Sequence, residues 1–459
     1  MVLNRRQFVG SMTGGLTAVA MAGLAAKGAL AKSGVQKLAK GYGPLIADPS
    51  GIIDLPKGFT YRVISQFGDR MDDGYIVPDR ADGMGAFAMP DGNIALVRNH
   101  ELKPKHDETG PFADKKAPEE IYDYRTEKNR PLPGGTTTLL VDPTGQKLLR
   151  QHLSLAGTIR NCAGGTTPWG SWLSCEEDVS RAGSDVDRDH GYIFEVSAAN
   201  PALSKPEPLK AMGRFNHEAA AVDPRTGIVY LTEDRSDSLF YRFIPNVSGQ
   251  LAQGGKLQAL AFQHKSHSRE TDNRNAATFA PGSWRSTAWI DLDNPESPDD
   301  DLRMRGYNAG AARFARGEGI TYGDGEMYFT CTSGGAAREG QIMRYRPSLY
   351  EGDSREQRSP GHLQLFFESM EHDTYSYGDN LTVAPSGDLI VCEDQYTAVV
   401  DNHLRGVTAT GAVYDLAKIR LQTEPAGACF SPDGKVMFLN IYSPTKTLAI
   451  TGPWHTASA

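Results

Sequence analysis

Six short stretches of this chain share one design, and that repetition restricts the possible folds more than any other feature. Each has four or five mostly apolar residues, a turn containing Gly, and a β-rich run that ends in polar residues. The turns are Pro90-Asp91-Gly92, Pro168-Trp169-Gly170, Pro224-Arg225-Thr226-Gly227, Gly323-Asp324-Gly325, Pro385-Ser386-Gly387 and Pro432-Asp433-Gly434. Strands are expected after them at 93–98, 171–175, 228–232, 326–330, 388–392 and 435–439. β-Branched and aromatic residues flanking a Gly-containing turn signal a hairpin. Six hairpins of one kind predict an all-β fold, a six-bladed β-propeller with loop insertions. The insertions are expected near 101–133 and 246–310, within a single domain covering 32–459. A β-sandwich joined to an irregular domain is the alternative.

Composition supports a folded, turn-rich chain. There are 49 Gly and 27 Pro, yet 39% of residues are hydrophobic, which is too many for simple disorder. With 48 Lys+Arg against 56 Asp+Glu, the balance excludes a basic nucleic-acid-binding surface.

Residues 1–31 read as a leader. Asn4-Arg5-Arg6-Gln7-Phe8-Val9 is a twin-arginine motif, followed by a Gly- and Ala-rich apolar run and an A-x-A site at Ala29-Leu30-Ala31. Removing it takes away three cations and no acids, so the net charge goes from −8 to −11. The expected product passes through the twin-arginine export machinery, keeps no stable membrane anchor and is periplasmic or secreted. All five cysteines, Cys162, Cys175, Cys331, Cys392 and Cys429, survive cleavage, and an odd number leaves at least one thiol unpaired.

Propeller blades converge on one axis, so positions repeated in every blade should surround one opening. Six residues beyond each turn glycine stand Arg98, Glu176, Glu233, Cys331, Glu393 and Asn440, with Glu101 three further on in the first unit. Before the first strands stand Asp82, Asn161-Cys162, His217-Glu218, Glu318, Asp379-Asn380 and Glu424. Carboxylates this close cannot all ionise without compensation: either their pKa values rise or cations sit among them. Oxygen-rich clusters favour hard ions such as Ca2+. Arg316, in a Gly-flanked loop two residues before Glu318, can grip an anionic group bidentately, with Arg235 a second candidate. The run Asp185-Val186-Asp187-Arg188-Asp189-His190-Gly191 nearly matches a calcium-binding loop, but its Gly is misplaced and it reads as a polar turn.

Several of these residues lie in longer motifs: Arg98-Asn99-His100-Glu101, Asn161-Cys162-Ala163-Gly164-Gly165, Pro168 to Glu177, Gly213-Arg214-Phe215-Asn216-His217-Glu218 and Arg316-Gly317-Glu318-Gly319. Together they resemble the PhoX-type alkaline phosphatases, and they run through most of the chain. The resemblance implies a six-bladed propeller whose active site holds iron and calcium ions, Fe3+ and Ca2+, with a cysteine thiolate bridging the irons. Carried over by motif, Cys162 is the bridging thiolate and Cys175 the runner-up. Glu101, Glu218, Glu233 and Glu318 resemble the family's carboxylate ligands, with Glu176 and Asp379 as further candidates. His100 and His217 each precede a carboxylate and are expected to support ligands rather than bind metal.

The sequence has no G-x-S-x-G, H-E-x-x-H, P-loop or Rossmann fingerprint. The expected activity is hydrolysis of small phosphate monoesters, with Arg316 orienting the ester and Cys162 in the metal cluster. A calcium-dependent lactonase or phosphotriesterase, and a non-catalytic propeller stabilised by ions, remain open on the residues alone.

Overall fold

The computed structural model describes residues 38–125, 130–183, 185–395 and 397–454. The leader, 1–31, lies outside them. Strands dominate, and the one α-helix among the described residues is short, Leu302–Ala309.

Hairpins form at all six turns. Ala81–Ala88 pairs with Ile94–His100, Asn161–Thr166 with Ser171–Glu176, and His217–Val222 with Val229–Glu233. Gly317–Gly323 pairs with Glu326–Cys331, Gly378–Val383 with Leu389–Glu393, and Pro425–Phe430 with Val436–Ile441. The turn glycines hold positive φ, from +71° at Gly434 to +87° at Gly170, which explains why each turn needs one. The first strand of each hairpin packs against the first strand of the next, and the sixth returns to the first. The result is an all-β, propeller-like fold with these strands around a common axis.

The sheets are less regular than six equal repeats would give. One has four strands, Ala81–Ala88, Ile94–His100, Gly134–Val141 and Leu148–Thr158, and the next has three. Two others fuse into nine strands, because Trp284–Asp291 pairs with Gly255–Phe262 on one side and His362–Glu368 on the other. The segment 246–310 is therefore only partly an insertion: Gly255–Phe262 is the fourth strand of the third hairpin's own sheet. The 101–133 segment does stand apart from its sheet, carrying the 3-10 turn Pro104–Thr109 and a small ribbon, Tyr124–Arg125 with Arg130–Pro131. The ring closes where Thr60–Gln66 pairs with Lys446–Thr451.

The hydrophobic core lies between neighbouring sheets rather than on the axis. Tyr230, Phe240, Phe329 and Tyr345 fill one such seam, with Phe240 and Phe329 stacked 4.3 Å apart. Near the axis the first strands are rich in Gly and Ala because they approach so closely. A Cβ on Gly165 would lie 1.8 Å from the carbonyl oxygen of Ala220. Beneath the acidic cluster these strands leave a cavity of about 450 Å3, lined by such residues as Gly83, Ala163, Ala220 and Gly319.

Every first strand also slips register by one residue at the same place, between Ala81 and Met84, Asn161 and Gly164, His217 and Ala220, Gly317 and Ile320, Gly378 and Leu381, and Ala426 and Cys429. A β-bulge of this kind bends the strand and re-aims the extra side chain.

Candidate metal centre

The bulges bring the chemistry together. Their first residues are Asp82, Cys162, Glu218, Glu318 and Asp379, with Gly427 (φ +59°) in the sixth strand. A second set of side chains follows from a repeated backbone bond. The N–H of Glu101 donates to Arg80 O (2.9 Å), that of Glu177 to Arg160 O (2.9 Å) and that of Asp234 to Asn216 O (3.2 Å). Thr332, Asp394 and Tyr442 repeat the bond to Arg316, Tyr377 and Glu424 at 3.0, 2.9 and 3.1 Å. Each acid of this second set therefore sits beside a bulge residue.

Two groups of donors result. Ligand atoms of Glu101, Cys162 and Glu177 all lie within 4.8 Å of one another, and so do those of Glu218, Glu318 and Asp379. All six residues are buried. Both carboxylate oxygens of Glu218 lack a hydrogen-bond partner, as does Oδ1 of Asp82. Cys162 Sγ lies 3.5 Å from Asp82 Oδ2.

Burial, and then the Glu318 charge, push the Glu218 carboxyl well above its ordinary range. Burial and Asp379 do the same to Asp82, and burial and Asp234 to Glu318. Asp379 is raised to about 8 by burial and the neighbouring Asp394. The Cys162 thiol is held well above its usual range by burial, Asp82 and Glu218. Such a cluster takes up protons unless cations neutralise it, and cations invert that preference. The donor set fits them: hard carboxylate oxygens suit calcium, and a lone sulfur adds a softer ligand of the kind that iron accepts.

Two arginines flank the acids. Arg316 donates from Nε to Asp234 Oδ1 at 2.7 Å, and from Nη2 to Asp234 Oδ2 at 3.0 Å and Glu318 Oε1 at 2.6 Å. Arg160 donates from Nε to Glu101 Oε1 at 2.9 Å and pairs with Glu177 Oε2 at 2.5 Å. Both lie two residues before a bulge residue in left-handed backbone, at φ +55° and +47°, as do Arg80 and Tyr377. Strain of this sort persists where the surroundings fix the conformation, and it concentrates at functional sites.

Glu101, Cys162, Glu218, Glu318, Asp379 and Arg316 thus come together, whereas Glu176 and Glu233 do not join either donor group. Glu176 bonds His190 Nδ1 at 2.7 Å and the backbone N–H groups of Ile159 and Gly191 at 3.0 Å. Glu233 accepts the Tyr241 hydroxyl at 2.7 Å, with Arg303 3.8 Å away. The reason is strand alternation: each is one residue short of the position that faces the axis. Their neighbours Glu177 and Asp234 occupy that position. Cys175 faces the hydrophobic core instead.

Arg235 is taken up by Asn216 (3.0 Å) and Asp300 (3.2 Å). Asn380 donates to Asp379 at 3.2 Å and accepts the Gly427 N–H at 2.6 Å, a structural role. In the turn at 185–191, Asp189 is engaged by Arg181 and the Ala182 N–H, so it remains a polar turn.

Sequence reasoning noted Asp82 without assigning it to the site, and missed Glu177, Asp234 and Arg160 as site residues. The signal was available in Glu101, which already stands one residue beyond its strand.

A closed propeller-like ring with clustered, buried acids and a thiol at its centre is the arrangement of a metal-binding protein. The chain belongs to the alkaline phosphatase PhoX family, whose model matches residues 40–445, and it is a metal-dependent phosphatase, a hydrolase. Among solved structures it is similar to Pseudomonas fluorescens PhoX in complex with vanadate, a transition-state analogue. That likeness has a TM-score of 0.66 at 18% identity, covering 91% of this chain and 98% of the other. A fainter likeness is to the gluconolactonase XC5397 from Xanthomonas campestris, with TM-score 0.40 and 12% identity over 90% of this chain and 98% of that one. No curated protein sequence matches.

Proposed function

We propose that this chain is a six-bladed propeller in a single catalytic domain, and that its axial cluster holds Fe3+ and Ca2+ for hydrolysis of phosphate monoesters. The observation that carries this reading is Glu218, a buried member of the second donor group with both oxygens lacking a hydrogen-bond partner. An ionised carboxylate in that position needs cations. Cys162 with Glu101 and Glu177 is our iron-side set, because thiolate favours softer metals. Glu218, Glu318 and Asp379, with Asp82 beside them, form the oxygen-rich remainder suited to calcium.

Bound ions of this kind polarise phosphoryl oxygens and offset the charge that develops as the ester breaks. The protein's own groups do the rest. Arg316, whose Nε and Nη2 are held by Asp234 and Glu318, is our group for orienting the phosphoryl group. Arg160 pairs with Glu101 and Glu177 in one donor group, as Arg316 does with Glu318 in the other. Burial of the carboxylates keeps water from competing for these bonds.

We also infer export from the leader motif at 4–9, giving a periplasmic or secreted enzyme. Among the described residues no helix is long and apolar enough to cross a membrane. The test is elemental analysis of wild type beside Cys162→Ala, with p-nitrophenyl phosphate turnover measured at alkaline pH. Iron and calcium in the wild type, with iron and activity lost together in the variant, is the expected result. A metal-loaded, folded wild type that turns over no phosphate monoester would overturn the reading.

A further inference from the structure

The guanidinium of Arg316 is aimed by two loops. The loop after Val229–Glu233 supplies Asp234 to its side chain, and the Arg235 carbonyl accepts its N–H at 2.9 Å. The loop after Glu326–Cys331 supplies the Thr332 N–H to its carbonyl at 3.0 Å. These loops belong to adjacent hairpins, and no covalent link shorter than a sheet joins them.

One side chain from elsewhere spans both. Arg274, from the segment between Gly255–Phe262 and Trp284–Asp291, donates from Nε to Ser333 O at 2.8 Å and from Nη2 to Ser333 Oγ. Its Nη1 reaches Ser236 O at 3.4 Å. Ser333 is the residue after Thr332, and Ser236 is two residues after Asp234. The acid nearest Arg274 in this structure, Asp272, is 4.0 Å away.

The segment is fixed rather than loosely draped. Gly335 N–H donates to Asp272 O at 2.7 Å, and Gln341 Nε2 to Thr271 O at 3.2 Å. Asn273, in left-handed backbone at φ +53°, bonds Glu368 at 2.6 Å and the Phe279 carbonyl at 2.7 Å. Burial holds the Arg274 pKa below its usual value, and the Arg338 and Arg316 charges add to that, so the two guanidiniums stand within electrostatic reach.

We propose that Arg274 is a positioning residue for phosphate-ester binding: it ties the loops at Ser236 and Ser333 together and thereby aims Arg316. This rests on Arg316 as the phosphoryl-binding group. Part of the 246–310 segment then acts as a brace and not as a lid. Arginine is required because a planar fork reaches acceptors on two loops at once, which a lysine ammonium on a flexible stem does not.

The test compares wild type, Arg274→Ala, Arg274→Lys, Arg316→Ala and the Arg274→Ala/Arg316→Ala double variant. KM and kcat for p-nitrophenyl phosphate, calorimetric binding of inorganic phosphate, and metal content are measured on each. In the wild-type background, Arg274→Ala should raise KM and weaken phosphate binding about tenfold with less change in kcat and full metal content. Arg274→Lys should behave like Arg274→Ala. In the Arg316→Ala background, removing Arg274 should change nothing further. Additive effects in the double variant, wild-type behaviour of Arg274→Lys, or metal loss parallel to activity in both Arg274 variants would each overturn the proposal. If Arg316→Ala leaves phosphate binding unchanged, the reading of Arg316 fails first, and the role of Arg274 falls with it.

Discussion

Glu218 is buried on all sides, and neither of its oxygens meets a hydrogen-bond donor. Replacing it with glutamine keeps the volume and removes the cost of burying an ionisable carboxyl among like groups. Metal-free Glu218→Gln should therefore melt higher than metal-free wild type, by roughly 2–4 °C, while retaining less metal after dialysis. Differential scanning calorimetry with and without chelator checks both halves. His190 offers a second prediction away from the donor groups. Between Glu176 and Asp123, it is held protonated up to about 9, Glu176 contributing most against the cost of burial. A raised folded-state pKa stabilises fully below the ordinary value near 6.5 and is lost as pH rises through about 9. His190→Gln should flatten the fall in melting temperature between pH 7 and 10. At this scale the motifs that single out Cys162 and Arg316 fall at the acidic cluster. The sequence misled at Glu176 and Glu233, because counting from turn glycines is uncertain by one residue and one residue turns a strand side chain to its opposite face.

The turns were legible because their glycines must hold positive φ, and that leaves a residue-type signature. The bulges were not. A single extra residue in a first strand has no composition of its own, so the expected loops before the strands proved to be bulged positions inside them. Also unread was the reason for the Gly-rich run at 163–165, which is the close approach of adjacent first strands. Gly165→Val places a branched side chain against the Ala220 carbonyl, only 1.8 Å from where the Cβ would stand. Overpacking of this kind costs about 1–3 kcal/mol or more. Because Cys162 lies three residues upstream on the same strand, phosphatase activity should fall by more than the loss of folded protein accounts for. Chemical denaturation and activity per folded molecule separate the two effects.

For the whole molecule, the acidic cluster makes stability depend on metal in a pH-dependent way. Asp379 titrates near 8 in the fold against about 4 unfolded, so the metal-free protein loses stability as pH rises between those values. Glu218, Glu318 and Asp82 shift in the same direction. Chelated protein should melt progressively lower from pH 5 to pH 8, whereas metal-loaded protein should not follow that slope. A parallel slope in both samples would show that the cluster is not where the ions bind. The ring itself was legible in the six repeats, but the fused nine-stranded sheet was not: Trp284–Asp291 carries no signal of which edges it will bridge.

Closure by Thr60–Gln66 against Lys446–Thr451 has a temporal side. The donors come from five hairpins spread between residues 82 and 379, and the ring that holds them is sealed by a strand ending at 451. A nascent chain still attached to the ribosome at the fifth hairpin has every donor but no closed ring. Pairing of strands this far apart in sequence is intrinsically slow to form. If the cluster holds ions, their site is complete only once this pairing forms. A chain truncated before Lys446 keeps every donor but loses the closing pairing, and should retain less metal after dialysis than the full chain.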